Sequence, residues 1–172
     1  MSAAAEVARD AAVTGDAVAL SGFLRETVMM TRQTIVKALL LTAGVASAAM
    51  GAFHFFLPTI FQWSRHMAAV PTSIRWALDA INAFFSTLLL LGGIATIRVA
   101  LLPRRDTMIV WGMTLFWMVN TAYQLLWPFP QRAVSWGTLG FAALMVAAYI
   151  LALWFGREAS APMASDGRGA AV

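Results

Sequence analysis

Cysteine is absent from this 172-residue chain, and histidine occurs only twice. Without thiols there is no disulfide framework, no thiolate metal site and none of the paired-thiol chemistry of membrane disulfide-forming enzymes. Charge is also scarce: 12% of the residues are charged and 60% are hydrophobic, whereas a soluble domain is usually about half apolar or less. The formal charge of +4 does not indicate a nucleic-acid partner, because the basic residues are scattered around the ends of apolar runs instead of forming a patch or stripe. No G-x-S-x-G, no Walker sequence and no pair of carboxylates within one apolar run is found, so catalytic residues stay unknown and a stand-alone enzyme is the less favoured reading.

What the chain has is apolar length. Four runs of about 20 residues are each long enough to cross a hydrocarbon core of roughly 30 Å at 1.5 Å per residue. They read KALLLTAGVASAAMGAFHFFL, IRWALDAINAFFSTLLLLGGIATI, TMIVWGMTLFWMVNTAYQLLW and AVSWGTLGFAALMVAAYILALWF. In lipid a lone span satisfies its backbone only as a helix. The expected fold is therefore all-α, an integral membrane four-helix bundle with spans near 37–57, 74–97, 107–127 and 133–155, within a domain of residues 35–156.

Four spans put the N-terminus, the second loop and the C-terminus on one side. Near the spans that side carries Arg32, Lys37, Arg98, Arg104, Arg105 and Arg157, and the other side has Arg65, Arg75 and Arg132. The bias predicts both termini in the cytoplasm and a multi-pass protein of the inner membrane. Residues 1–34 contain Glu6, Asp10, Asp16 and Glu26, unlike a secretory signal. Leu20, Phe23, Leu24 and Val28 recur at helical spacing, so this cytoplasmic arm is either an interfacial amphipathic helix that precedes an inward turn, or a cytoplasmic helix or disordered arm. The tail 157–172 is small and polar, a disorder-prone composition.

The polar residues within the spans carry the functional expectations. His54 lies about one turn below the outer end of the first span, and Asp79, Asn82 and Ser86 share a face of the second. Asn120, Tyr123 and Gln124 come within roughly 5 to 10 Å of the outer end of the third, and Ser135 and Thr138 begin the fourth. The inner half holds little beyond LLLLGG, MIVWGM and MVAAYILAL. Polar groups confined to one depth are expected to meet. Gly44, Ser47, Gly51 and His54 form a small-residue stripe that lets helices approach closely; Met113, Trp117, Asn120, Gln124 and Trp127 form a second packed face, and Gly137, Gly140 and Leu144 a candidate third. Asp79 pairs either with His54 or, at i−4, with Arg75.

The candidate ligand-binding set is accordingly His54, Asp79, Asn82, Asn120, Tyr123, Gln124, Trp117 and Trp127, with the aromatic residues as apolar walls. No metal site is expected, since His54, Asp79 and His66 lack any ligand spacing. Haem is disfavoured because His66, the other histidine, lies in a loop. The loop PTIFQWSRHMAAVPTS, bracketed by Pro58 and Pro71, reads as a short interfacial helix, either an anchor or a lid over the polar layer.

Gly51, His54, Phe55, Pro58 and Phe61, followed by Pro71 before the second helix, resemble the G-x-x-H-F-x-x-P motif near the end of the first helix in DoxX-like small membrane proteins. Asn120 resembles the asparagine that many of them carry late in the third helix. The resemblance implies a four-helix inner-membrane protein, some relatives of which are subunits of quinone-linked sulfur-oxidising enzymes. The chain departs from the pattern at LDAINAFF, where many relatives carry a small-residue pair followed by glutamate, and at AAVP, a reduced proline-rich approach. The expected function is an outward-facing polar pocket that binds a small amphipathic or quinone-like molecule, within or beside a redox complex. The alternative is a structural or assembly subunit with no activity of its own. Beyond the lipid bilayer, the expected partners are another membrane-complex subunit or a second copy of the chain.

Overall fold

The computed structural model describes residues 3–102 and 106–158, with side chains from Leu20 to Leu102 and from Asp106 to Arg157. The loop arginines Arg104 and Arg105 and the tail from Ala159 on lie outside the described residues. All regular elements among these residues are helices: α1 (Ala3–His54), α2 (Leu57–Ile60), α3 (Trp63–His66), α4 (Thr72–Leu101), α5 (Thr107–Leu126) and α6 (Arg132–Glu158). The segment Leu20–His54 of α1, all of α4, and Arg132–Arg157 of α6 are long and apolar enough to cross a membrane. Helix α5 covers the expected third span and has 20 residues, but Asn120, Tyr123 and Gln124 in its last two turns hold it short of that hydropathy.

Helices α1, α4, α5 and α6 pack as a ring. The most extensive contact is between α1 and α4, followed by α5 with α6 and α1 with α6, and α5 touches α4 lightly. Missing side chains make the α1–α4 contact close. A Cβ on Gly44 would stand 2.9 Å from the Gly93 carbonyl oxygen, one on Gly51 would stand 2.8 Å from the Ser86 carbonyl oxygen, and one on Gly93 would lie against the Ala48 backbone. Gly44 and Gly51 of the stripe thus face a neighbouring backbone. On α5, Val110, Met113, Thr114 and Trp117 are buried, while Trp127 is 65% exposed and falls off the packed face.

Helix α6 packs on a different face from the expected one. Gly137 and Gly140 have nothing within 4 Å of a would-be Cβ, and Leu144 is exposed; Ala142, Met145, Tyr149 and Ala152 are buried instead. Small residues permit close approach without compelling it, so the large contact surface of Met145 and Tyr149 decides the face.

The N-terminal arm does not turn before the first span. Leu20 to Met30 continue α1 as one helix of 52 residues, about 78 Å at 1.5 Å per residue. None of the side chains from Leu20 to Ile35 is buried, and burial starts at Val36. The helix therefore runs past one end of the bundle, on the side of its own N-terminus. At the other end it stops at His54, four residues before Pro58, because a proline has no N–H to donate to the carbonyl at i−4 and its ring crowds that oxygen. The loop between α1 and α4 then forms two short helices, α2 and α3, joined at Gln62, whose left-handed backbone (φ 47°) makes the corner.

Candidate functional site

One polar cluster joins all four long helices. Trp117 of α5 donates its Nε1–H to Ser47 Oγ of α1 at 3.2 Å. The Tyr149 hydroxyl of α6 lies 3.4 Å from Ser47 Oγ and 3.2 Å from Thr96 Oγ1 of α4. Thr96 also donates to the Gly92 carbonyl, 2.8 Å away. Ser47, Thr96 and Tyr149 are fully buried. In hydrocarbon an unpaired hydroxyl is costly, and here each of these side chains has two partners. The cluster can use every one of its hydroxyl and indole protons within the bundle, so none is left over for a ligand.

This cluster overturns the expectation that the polar groups meet only near the outer end. Tyr149 lies within MVAAYILAL, a stretch that looks devoid of polar function. Its sequence signal is simple: it is the one residue of that stretch with a polar tip, and an interior tyrosine hydroxyl normally finds a partner.

The outer-end candidates separate into small groups. Asn82 Nδ2 donates to the His54 carbonyl at 3.0 Å; this is the oxygen that Pro58 cannot serve, so the side chain of α4 caps the broken end of α1. The His54 ring packs on Phe85, centroids 4.9 Å apart. From there Phe85, Phe116, Trp117 and Phe141 continue as successive ring contacts at 5.4, 5.6 and 5.5 Å. His54 is thus the outer end of an aromatic row that leads to the buried cluster.

Asn120 and Gln124 form a second group, Gln124 Nε2 donating to Asn120 Oδ1 within α5. The Gln124 Oε1 atom is buried and accepts no hydrogen bond. Tyr123 and Trp127 stack on each other with centroids 5.5 Å apart, both more than 60% exposed, so they line no interior pocket. Thr138 bonds carbonyls of its own helix.

Asp79 belongs to neither group. It is exposed and lines an open cleft of about 810 Å³ together with Gln62, Trp63, Arg65, Arg75 and Trp76. Of the two pairings open to Asp79, the i−4 ion pair with Arg75 is not formed: Arg75 Nη2 donates to Thr72 Oγ1 at 3.3 Å, and its buried Nε–H has no partner. The floor of this cleft is α4 and its roof is the α2–α3 loop. Sequence reasoning considered Arg75 only as one of two partners open to Asp79, the other being His54, and not as a wall residue. Among the described residues no three histidine, aspartate or glutamate side chains come together as a metal site would require.

No protein-family model matches the chain, and neither a curated protein nor a solved structure shows significant similarity to it.

Proposed function

We propose that this chain is a four-pass inner-membrane protein, both termini cytoplasmic, that binds a small amphipathic molecule in the outward-facing cleft beneath the α2–α3 loop. Support for the topology comes from Arg32, Lys37, Arg98, Arg104, Arg105 and Arg157 on one side of the four runs. Because the chain has no cysteine, single substitutions Ser64→Cys and Ser160→Cys give clean topology probes: an impermeant thiol reagent on intact cells should label only the first.

The observation that carries the binding reading is the mixed lining of the cleft. Arg65, Arg75, Asp79 and Gln62 stand beside Trp63 and Trp76, and a few polar groups among aromatic walls are what small-molecule sites present. The guanidinium-bearing residues Arg65 and Arg75 in that lining favour a ligand bearing a carbonyl or anionic oxygen, a class that includes quinones. Titrating the purified protein with a short-chain quinone analogue tests this. Arg75→Gln should weaken binding about tenfold, in line with loss of one charge-assisted hydrogen bond, while His54→Phe should leave it unchanged. Equal affinity of wild type and Arg75→Gln would rule the cleft out as the site. The affiliation with DoxX-like proteins is proposed on the Gly51–Pro58 stretch alone.

A second reading, an assembly subunit, is favoured by the projecting part of α1. Leu20, Phe23, Leu24 and Val28 are each at least 50% exposed and form an unpartnered apolar stripe. A photo-crosslinking residue at Phe23 in native membranes should capture a stoichiometric protein partner under this reading and only lipid under the first.

A further inference from the structure

A second cleft, about 1120 Å³, opens at the inner end of the bundle where α1 leaves its neighbours. Its apolar depth is built by Val36, Leu40, Val110 and Leu153, all buried. Its polar rim carries Lys37 and Arg157, with no acidic residue among the described lining side chains. The Arg157 guanidinium sits over the Trp111 ring, 5.5 Å from its centroid. A cation–π contact fixes the position of a guanidinium without neutralising it. Neither Lys37 nor Arg157 forms an ion pair among the described residues, and the Asp106 carboxylate, which caps α5 by accepting the Met108 N–H at 2.9 Å, is not part of the lining.

Two uncompensated cations above an apolar groove, at the end of helices that are long and apolar enough to span a membrane, have a complementary shape in the bilayer itself. We propose that this cleft binds an anionic phospholipid, with the phosphate held between Lys37 and Arg157, the interfacial glycerol region against Trp111, and an acyl chain along Val36, Leu40 and Leu153. Basic pockets between transmembrane helices recognise anionic headgroups by this combination of charge and groove, and Trp at the headgroup level supplies an amphipathic wall. A zwitterionic lipid offers the same chains, but its own cation competes with the two basic side chains for the phosphate. An isolated phosphate offers the charge without the chains.

The test uses the full chain in a mild neutral detergent, followed by native mass spectrometry during titration with phosphatidylglycerol, phosphatidylcholine or inorganic phosphate. Wild type should retain phosphatidylglycerol about tenfold or more tightly than phosphatidylcholine, as expected from two basic residues near the surface, and should retain no inorganic phosphate. Lys37→Gln/Arg157→Gln should bring the two lipids to within about twofold. Both replaced side chains are exposed, so the variant should fold, and an unchanged circular dichroism melt verifies it. Arg25→Gln/Arg98→Gln removes the same charge outside the cleft and should keep the preference. Equal retention of both lipids by wild type, an undiminished preference in the Lys37/Arg157 variant, or an equal loss in the Arg25/Arg98 variant would each overturn the proposal. So would phosphate binding as tightly as lipid, or a protein segment occupying the cleft and excluding lipid.

Discussion

In the middle of the bundle, Ser47, Thr96, Trp117 and Tyr149 reach one another from four helices, and the three hydroxyl-bearing members each have two partners. At the outer end, Asn82 serves the His54 carbonyl alone, Gln124 reaches only Asn120 on its own helix, and Asp79 is exposed. The residue types are similar, and what differs is redundancy. Deep in the bundle the loss of one bond leaves each hydroxyl bonded elsewhere; at the rim a single donor stands between a helix end and an empty valence. Depth of burial alone therefore misjudges which polar residue matters most to the fold.

The most damaging change to this arrangement is predicted at the backbone contact that brings the central cluster together. A Cβ on Gly93 would meet Ala48 and Gly44 main-chain atoms, which cannot swing aside as a side chain would. Gly93→Leu should cost about 3 kcal/mol or more, the upper part of the overpacking range, measured by reversible unfolding in detergent or bicelles. Gly140→Leu, facing open space, should stay within about 0.5 kcal/mol. Equal losses would mean that α1 and α4 are not closely apposed.

Next in size is the single-partner bond. Asn82→Leu keeps the apolar volume but strands the His54 carbonyl that Pro58 already leaves without a backbone donor, and an unsatisfied acceptor costs about 1–3 kcal/mol. Tyr149→Phe removes a fully buried hydroxyl, yet Ser47 keeps its bond from Trp117 and Thr96 keeps Gly92. Its cost should be smaller, about 0.6 kcal/mol and no more than about 1.7, as for interhelical hydrogen bonds in lipid. The same unfolding assay ranks them. If Tyr149→Phe costs more than Asn82→Leu, depth outweighs redundancy and the distinction between the two regions fails.

The parts of this architecture that were legible in the sequence are those in which a rare residue type marks a face. Gly44, Ser47 and Gly51 stand out against leucine and valine, and their spacing identified a packed side of α1, though not which helices it meets. Trp117, too deep for an interfacial anchor, was readable as an interior residue, and it is buried at 3% exposure. Most of helix α6 was not readable, because a helix that is apolar nearly all round has little face to announce; Ala142 and Met145 look no different from Leu144 until a neighbour is in place, and only the polar tip of Tyr149 marks the packed side. The Asn82 bond was hidden for another reason. Its acceptor is a backbone oxygen, and only the i−4 relation of His54 to Pro58 hints that this oxygen lacks a donor. The clefts escaped sequence reading because they form where helices end at different heights, a property of the assembled bundle.

The smallest expected effect lies at Asp79, the residue for which an intramembrane carboxylate raised the greatest functional expectation. Asp79 is exposed, and the guanidinium four residues earlier is turned to Thr72. An exposed carboxylate without an ion pair contributes little to stability, so Asp79→Asn should change the unfolding free energy by less than about 0.5 kcal/mol. Its consequence, if the outer cleft is occupied, falls on binding: removing the one negative charge among Arg65 and Arg75 leaves the cleft more cationic, and an oxygen-bearing ligand should bind as well or better. A loss of stability above about 1 kcal/mol would instead mean that Asp79 closes an ion pair with Arg75 in the membrane. Arg75 would then be withdrawn from the cleft, and the outer rim would satisfy its charges as thoroughly as the centre of the bundle satisfies its hydroxyls.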